Sequence, residues 1–99
     1  MRVNNINGTA DNACACGSWL AHWKNFSGRP APPTCSVTTC YNRPAVGAHV
    51  QKEDAADAAW YIVPLCEVHN ASATPLDIGT TPLVPANQAA TCAKALATP

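Results

Sequence analysis

Charge is scarce in this chain. Of 99 residues only six are Lys or Arg and six are Asp or Glu, so the formal net charge is zero. Affinity for nucleic acid comes largely from basic side chains that neutralise phosphates. Arg2, Lys24, Arg29, Arg43, Lys52 and Lys94 are scattered, with no run among them. That argues against a broad nucleic-acid surface, although a local patch would serve an enzyme acting on one. Long apolar runs are missing too. None approaches the roughly 18 residues needed to span a bilayer, so no membrane role is expected. Residues 1–11 lack the apolar core of a signal peptide. The expectation is a cytoplasmic protein with reduced thiols, where cysteine more often binds metal than forms disulfides. Large side chains are few: one Phe, one Met, two Tyr and three Trp. The length reads as a single domain, 1–99. A domain this small buries only part of its surface and often needs a staple.

Proline and cysteine, by contrast, are plentiful, at nine and six. The prolines and five glycines cut the chain into short pieces, which suggests an α+β fold of short strands and helices. Cys35 and Cys40 lie on a short turn, and Cys66 and His69 follow about one hairpin later. Four soft ligands at this spacing suit tetrahedral zinc, and a closed set is usually structural. The competing reading is free buried thiols and a core histidine, since cysteine is often simply buried. Ligand count and spacing favour zinc. Three thiolates and one neutral imidazole would leave the centre at a net charge of about −1, for backbone N–H groups or Arg43 to offset. A Cys16 or Cys66 nucleophile paired with a histidine ranks below zinc, which would quench the thiolate. Cys14, Cys16, His22, His49 and Cys92 remain. A second metal site drawn from them, a disulfide from Cys14 or Cys16 to Cys92, and unpaired side chains all stay open.

Along the chain, residues 1–13 read as a polar, irregular lead. Trp19, Trp23 and Phe26 fall at i, i+4 and i+7, which predicts an amphipathic helix over Gly17–Ser27 with His22 on its flank. Ser18 is placed to cap it, and Gly28 then Pro30 to stop it. The tryptophans read as core. Val46, Ala48 and Val50 alternate with Gly47, His49 and Gln51, as in a half-buried strand. Ala59–Leu65 is the second strand of a hairpin whose loop is too long for a two-residue turn. Cys66 opens a helical turn. Two very short strands are expected at Leu76–Ile78 and Leu83–Val84, and an Ala-rich helix over Ala86–Leu96.

A knuckle, a hairpin, and a helix whose first turn carries the last two ligands resemble the treble-clef arrangement, here over about 35–75. Gly47-Ala48-His49-Val50, with Leu65-Cys66-x-x-His69-Asn70 after the loop, resembles the HNH endonuclease family. Three strings are spread along most of the chain: Cys16-Gly17-Ser18-Trp19-Leu20-x-His22-Trp23, Gly47-Ala48-His49-Val50 and Ile62-Val63-Pro64-Leu65-Cys66. They look similar to a group of small uncharacterised bacterial proteins, which brings no activity with it. In HNH enzymes an Asp-His pair ends the first strand. The His activates water, and the Asp and a final helix His hold a catalytic metal. Here His49 matches the base. Ala48 stands where the Asp would, Asn70 where the final His would, and no Asn lies between His49 and His69. A phosphodiesterase needs its metal to stabilise charge on phosphate oxygens, and a methyl group at 48 offers no ligand. Asp54 and Asp57 in the loop are the candidate substitutes. The resemblance therefore implies a zinc-stabilised, HNH-like treble clef with a degenerate site. Its expected role is binding to a partner that the residues do not identify: a protein partner stays open, and the scattered basic residues disfavour nucleic acid. The alternative is a metal-dependent HNH-type endonuclease using His49 as general base.

Overall fold

The computed structural model of the chain describes residues 1–6, 18–30, 32–53 and 59–86. They form a small α+β unit with five strands and two helices: β1 (Arg2–Asn5), α1 (Trp19–Ser27), β2 (Val46–Lys52), β3 (Tyr61–Leu65), α2 (Glu67–Asn70), β4 (Leu76–Asp77) and β5 (Val84–Pro85). The strands make one antiparallel sheet in the order β4-β1-β2-β3-β5. Among the described residues no helix is long and apolar enough to cross a membrane.

The central hairpin sets both faces. Ala48 pairs with Val63 and His49 with Ile62, and alternation sends successive residues to opposite sides. One face carries Val3, Ala48, Val50, Val63 and Leu65, covered by Cys35, Cys66, Leu76 and Ile78. The other carries Ile62 and Val84 beneath Trp23 and Trp19 of α1. The strand at 46–51 was expected to be half-buried. Instead Ala48, His49 and Val50 are all buried, because α1 covers the side that alternation alone would leave to solvent.

Helix α1 begins and ends as its sequence dictates. The Ser18 hydroxyl accepts from the Ala21 N–H at 3.0 Å, satisfying a donor the first turn leaves open. Gly28 closes the helix at φ 70°, a left-handed cap that glycine adopts without a Cβ clash. Trp23 is buried, but Phe26 overhangs at 38% exposure. His22, expected on the flank, is instead fully buried. The N-terminal lead is a further correction. Far from irregular, Arg2–Asn5 is an interior strand hydrogen-bonded to both β2 and β4. Its single apolar inward residue, Val3, is too little to show as a pattern. The two short strands later in the chain form at 76–77 and 84–85. The helix expected over Ala86–Leu96 lies, beyond Ala86, outside the described residues.

Candidate metal centre

The turn from Cys35 to Cys40 is anchored on all sides by backbone hydrogen bonds. The Cys35 N–H donates to the Asn42 carbonyl (2.8 Å), Ser36 to Pro64 (3.0 Å), Thr38 to Asp77 (2.9 Å) and Cys40 to Val37 (3.1 Å). The turn is thereby stitched to the end of β3 and to β4. Directly after β3, Cys66 is the N-cap of α2, and the Asn70 N–H donates to its carbonyl at 2.9 Å. One helical turn puts position i+3 on the same side as i, which brings the His69 ring onto the Cys66 sulfur.

The four side chains converge. The sulfurs of Cys35, Cys40 and Cys66 and a ring nitrogen of His69 all lie within 4.8 Å of one another, a group that can hold a metal ion. His69 Nδ1 is 3.4 Å from Cys66 Sγ and 3.6 Å from Cys35 Sγ, and Cys40 Sγ is 4.0 Å from Cys66 Sγ. A tetrahedral zinc with ordinary Zn–S and Zn–N bonds would set sulfur–sulfur edges of about 3.8 Å and sulfur–nitrogen edges of about 3.5 Å. The donor set and its spacing therefore fit zinc. Cys35 and Cys66 are buried and Cys40 is half-buried.

The surroundings treat the sulfurs differently. Burial pushes the Cys35 thiol up to about 11, against the pull of the Cys66 and Val37 N–H groups. Burial also resists ionisation of Cys66, but hydrogen bonds from the His69 N–H, the Asn42 amide and the neighbouring thiols outweigh it and bring that thiol down to about 6. The Asn42 amide donates to Cys66 Sγ at 3.8 Å. The charge compensation expected from backbone N–H groups or Arg43 thus comes from backbone N–H groups and Asn42, while Arg43 is exposed.

Sequence reasoning missed Asn5. Its amide donates to the His69 carbonyl at 2.6 Å and to the Ser72 carbonyl at 3.2 Å, so β1 holds the end of α2. Nothing in an isolated Asn signals this.

His22 and His49 meet on the opposite face of the sheet. The Trp19 ring stands edge-on to both, at 5.1 and 4.5 Å between centroids, and Trp60 closes on His49 at 5.8 Å. His22 Nε2 lies 2.8 Å from the Pro85 carbonyl, a contact that makes Nε2 the protonated nitrogen. His49 is only 6% exposed. Burial, and secondly the charge of His22, lower its pKa from the usual 6.5. Cys14, Cys16 and Cys92, the other candidates for a second site, lie outside the described residues, as do Asp54 and Asp57.

No family model matches this chain, and no curated protein or solved structure matches it either.

Proposed function

We propose that Cys35, Cys40, Cys66 and His69 hold one structural zinc ion in treble-clef order, and that the protein is a binding module rather than a catalyst. One observation carries this reading: four soft donors, drawn from a turn and a single-turn helix, gathered within 4.8 Å. When bound, zinc would supply a cross-link between the turn and α2, with no open position for substrate. Tyr41 and Val68, at 87% and 70% exposure beside the ligands Cys40 and His69, put bare apolar surface around the centre, which suits contact with another protein. The nuclease alternative is less favoured, since Trp19 and Trp60 stand edge-on to a His49 that is 6% exposed and the Ala48 side chain has no oxygen to offer a catalytic metal.

Elemental analysis of purified protein tests the reading, with cobalt(II) substitution to report the ligands. The expected result is one zinc per chain. The cobalt form should show thiolate charge-transfer and tetrahedral bands, both lost on replacing Cys35, Cys40 and Cys66 with Ser. Two zinc ions per chain would add a site using His22 and His49, which the fold brings to one place. Protein without transition metal would overturn the proposal.

A further inference from the structure

We propose that this centre is also a peroxide-sensitive switch, in which Cys40 and Cys66 form a disulfide and the metal is expelled. The inference rests on the zinc reading above and adds to it a means of regulation.

Exposure and proximity together select the pair. Cys40 is the half-buried cysteine of the three, whereas Cys35 and Cys66 are 4% and 3% exposed. Its neighbours Thr39 and Tyr41 are exposed, so a small oxidant reaches Cys40 first. Cys66 Sγ waits 4.0 Å behind it. Cys35 also touches Cys66 through its sulfur, but it is buried and accepts from the N–H groups of Cys66 and Val37, so exposure rather than proximity singles out Cys40. A disulfide needs the sulfurs at about 2.05 Å, so the pair must close by roughly 2 Å. Rotation about the Cα–Cβ bonds of the two cysteines can supply that closure without displacing α2, whose end Asn5 holds.

The chemistry balances with a hydroperoxide as oxidant. The Cys40 thiolate attacks one oxygen of hydrogen peroxide, the O–O bond breaks, and sulfenic acid and hydroxide form. The Cys66 thiolate then attacks the Cys40 sulfur, the S–O bond breaks, and a second hydroxide leaves as the S–S bond forms. Two thiolates have lost two electrons, and one peroxide has become two hydroxides. Zinc is left with Cys35 and His69, two ligands in place of four, and departs. The disulfide joins the same turn and helix that the metal joined. The two ends therefore stay together, and a dithiol reductant with fresh zinc resets the centre.

The test uses zinc-loaded protein, hydrogen peroxide, a chromophoric zinc chelator as reporter, and peptide mapping without reduction. The expected result is release of one zinc per chain in step with a Cys40–Cys66 cross-linked peptide, both reversed by dithiothreitol and zinc. A Cys40→His variant keeps a fourth ligand but no sulfur at the exposed position, and should release zinc about tenfold more slowly or less. If that variant fails to load, the wild-type peptide map decides alone. Zinc retained under peroxide, or release with any other cysteine pair linked, would overturn the switch. Protein that never held zinc would refute the metal reading instead.

Discussion

Thr39 has a backbone angle that its side chain disfavours. At φ 66° it is the one described non-glycine residue in the left-handed region, and a β-branched side chain there is a genuine outlier. Such strain costs of order 1–3 kcal/mol, and it persists because the backbone bonds around the turn dictate the conformation that brings Cys35 and Cys40 together. Glycine would relieve the strain while losing roughly 0.5–1 kcal/mol to chain entropy. Thr39→Gly should therefore stabilise the protein by about 1 kcal/mol, read from denaturant midpoints of the zinc-loaded form. At this scale the cluster of Cys35, Cys40, Cys66 and His69 was legible, because Cys and His at these spacings suggest convergence on one ion. The supporting groups were not. Asn5, 64 residues from His69 in sequence, holds it through an amide–carbonyl bond, and Asn42 reaches Cys66 across 24 residues. A lone polar residue in a polar run carries no mark of such a partner.

Among the elements, the seating of α1 depends on Gly47. A Cβ there would lie 2.5 Å from the Leu20 backbone nitrogen and closer still to the Trp19 carbonyl carbon. Backbone cannot yield as a side-chain tip would. Gly47→Ala should cost about 1–3 kcal/mol by overpacking and loosen α1 selectively. The check is the near-ultraviolet signal of the tryptophans against that of the metal centre, which lies on the opposite face. The same interface makes stability depend on pH. His49 has a pKa below 6.5 when folded, held down by burial and by His22, so the unfolded chain binds more protons as pH falls through 6.5. Stability from this group is complete above 6.5 and declines as pH drops toward the lowered value. Acid also weakens metal binding. The measure is therefore the difference between wild type and His49→Gln, whose centres are identical: the wild type should lose more stability between pH 7 and 5. Helix α1 and the hairpin were readable from periodicity and caps. Strand β1 was not, because it is held by hydrogen bonds on both edges and buries a single Val3. The close approach at Gly47 was equally silent, since a glycine between Val46 and Ala48 is indistinguishable from a strand weakness.

For the molecule as a whole, the balance of forces points to the metal. Both hydrophobic clusters are small, built mostly from Val, Leu, Ile and Ala with one buried Trp. The two ion pairs among the described residues, Met1–Asp77 and Arg2–Glu53, are exposed or partly so, and such pairs add little. Zinc binding at comparable small sites is worth about 10–16 kcal/mol, as much as the roughly 5–15 kcal/mol that stabilises an entire domain. Removing the ion would leave the turn, the end of β3 and α2 without their common anchor. The most direct test is a chelator titration of zinc-loaded protein followed by amide-resolved NMR. The dispersed spectrum of residues 35–77 should collapse as zinc leaves and return when zinc is restored without oxidation. A spectrum that stays dispersed in metal-free, fully reduced protein would contradict the metal's role as anchor.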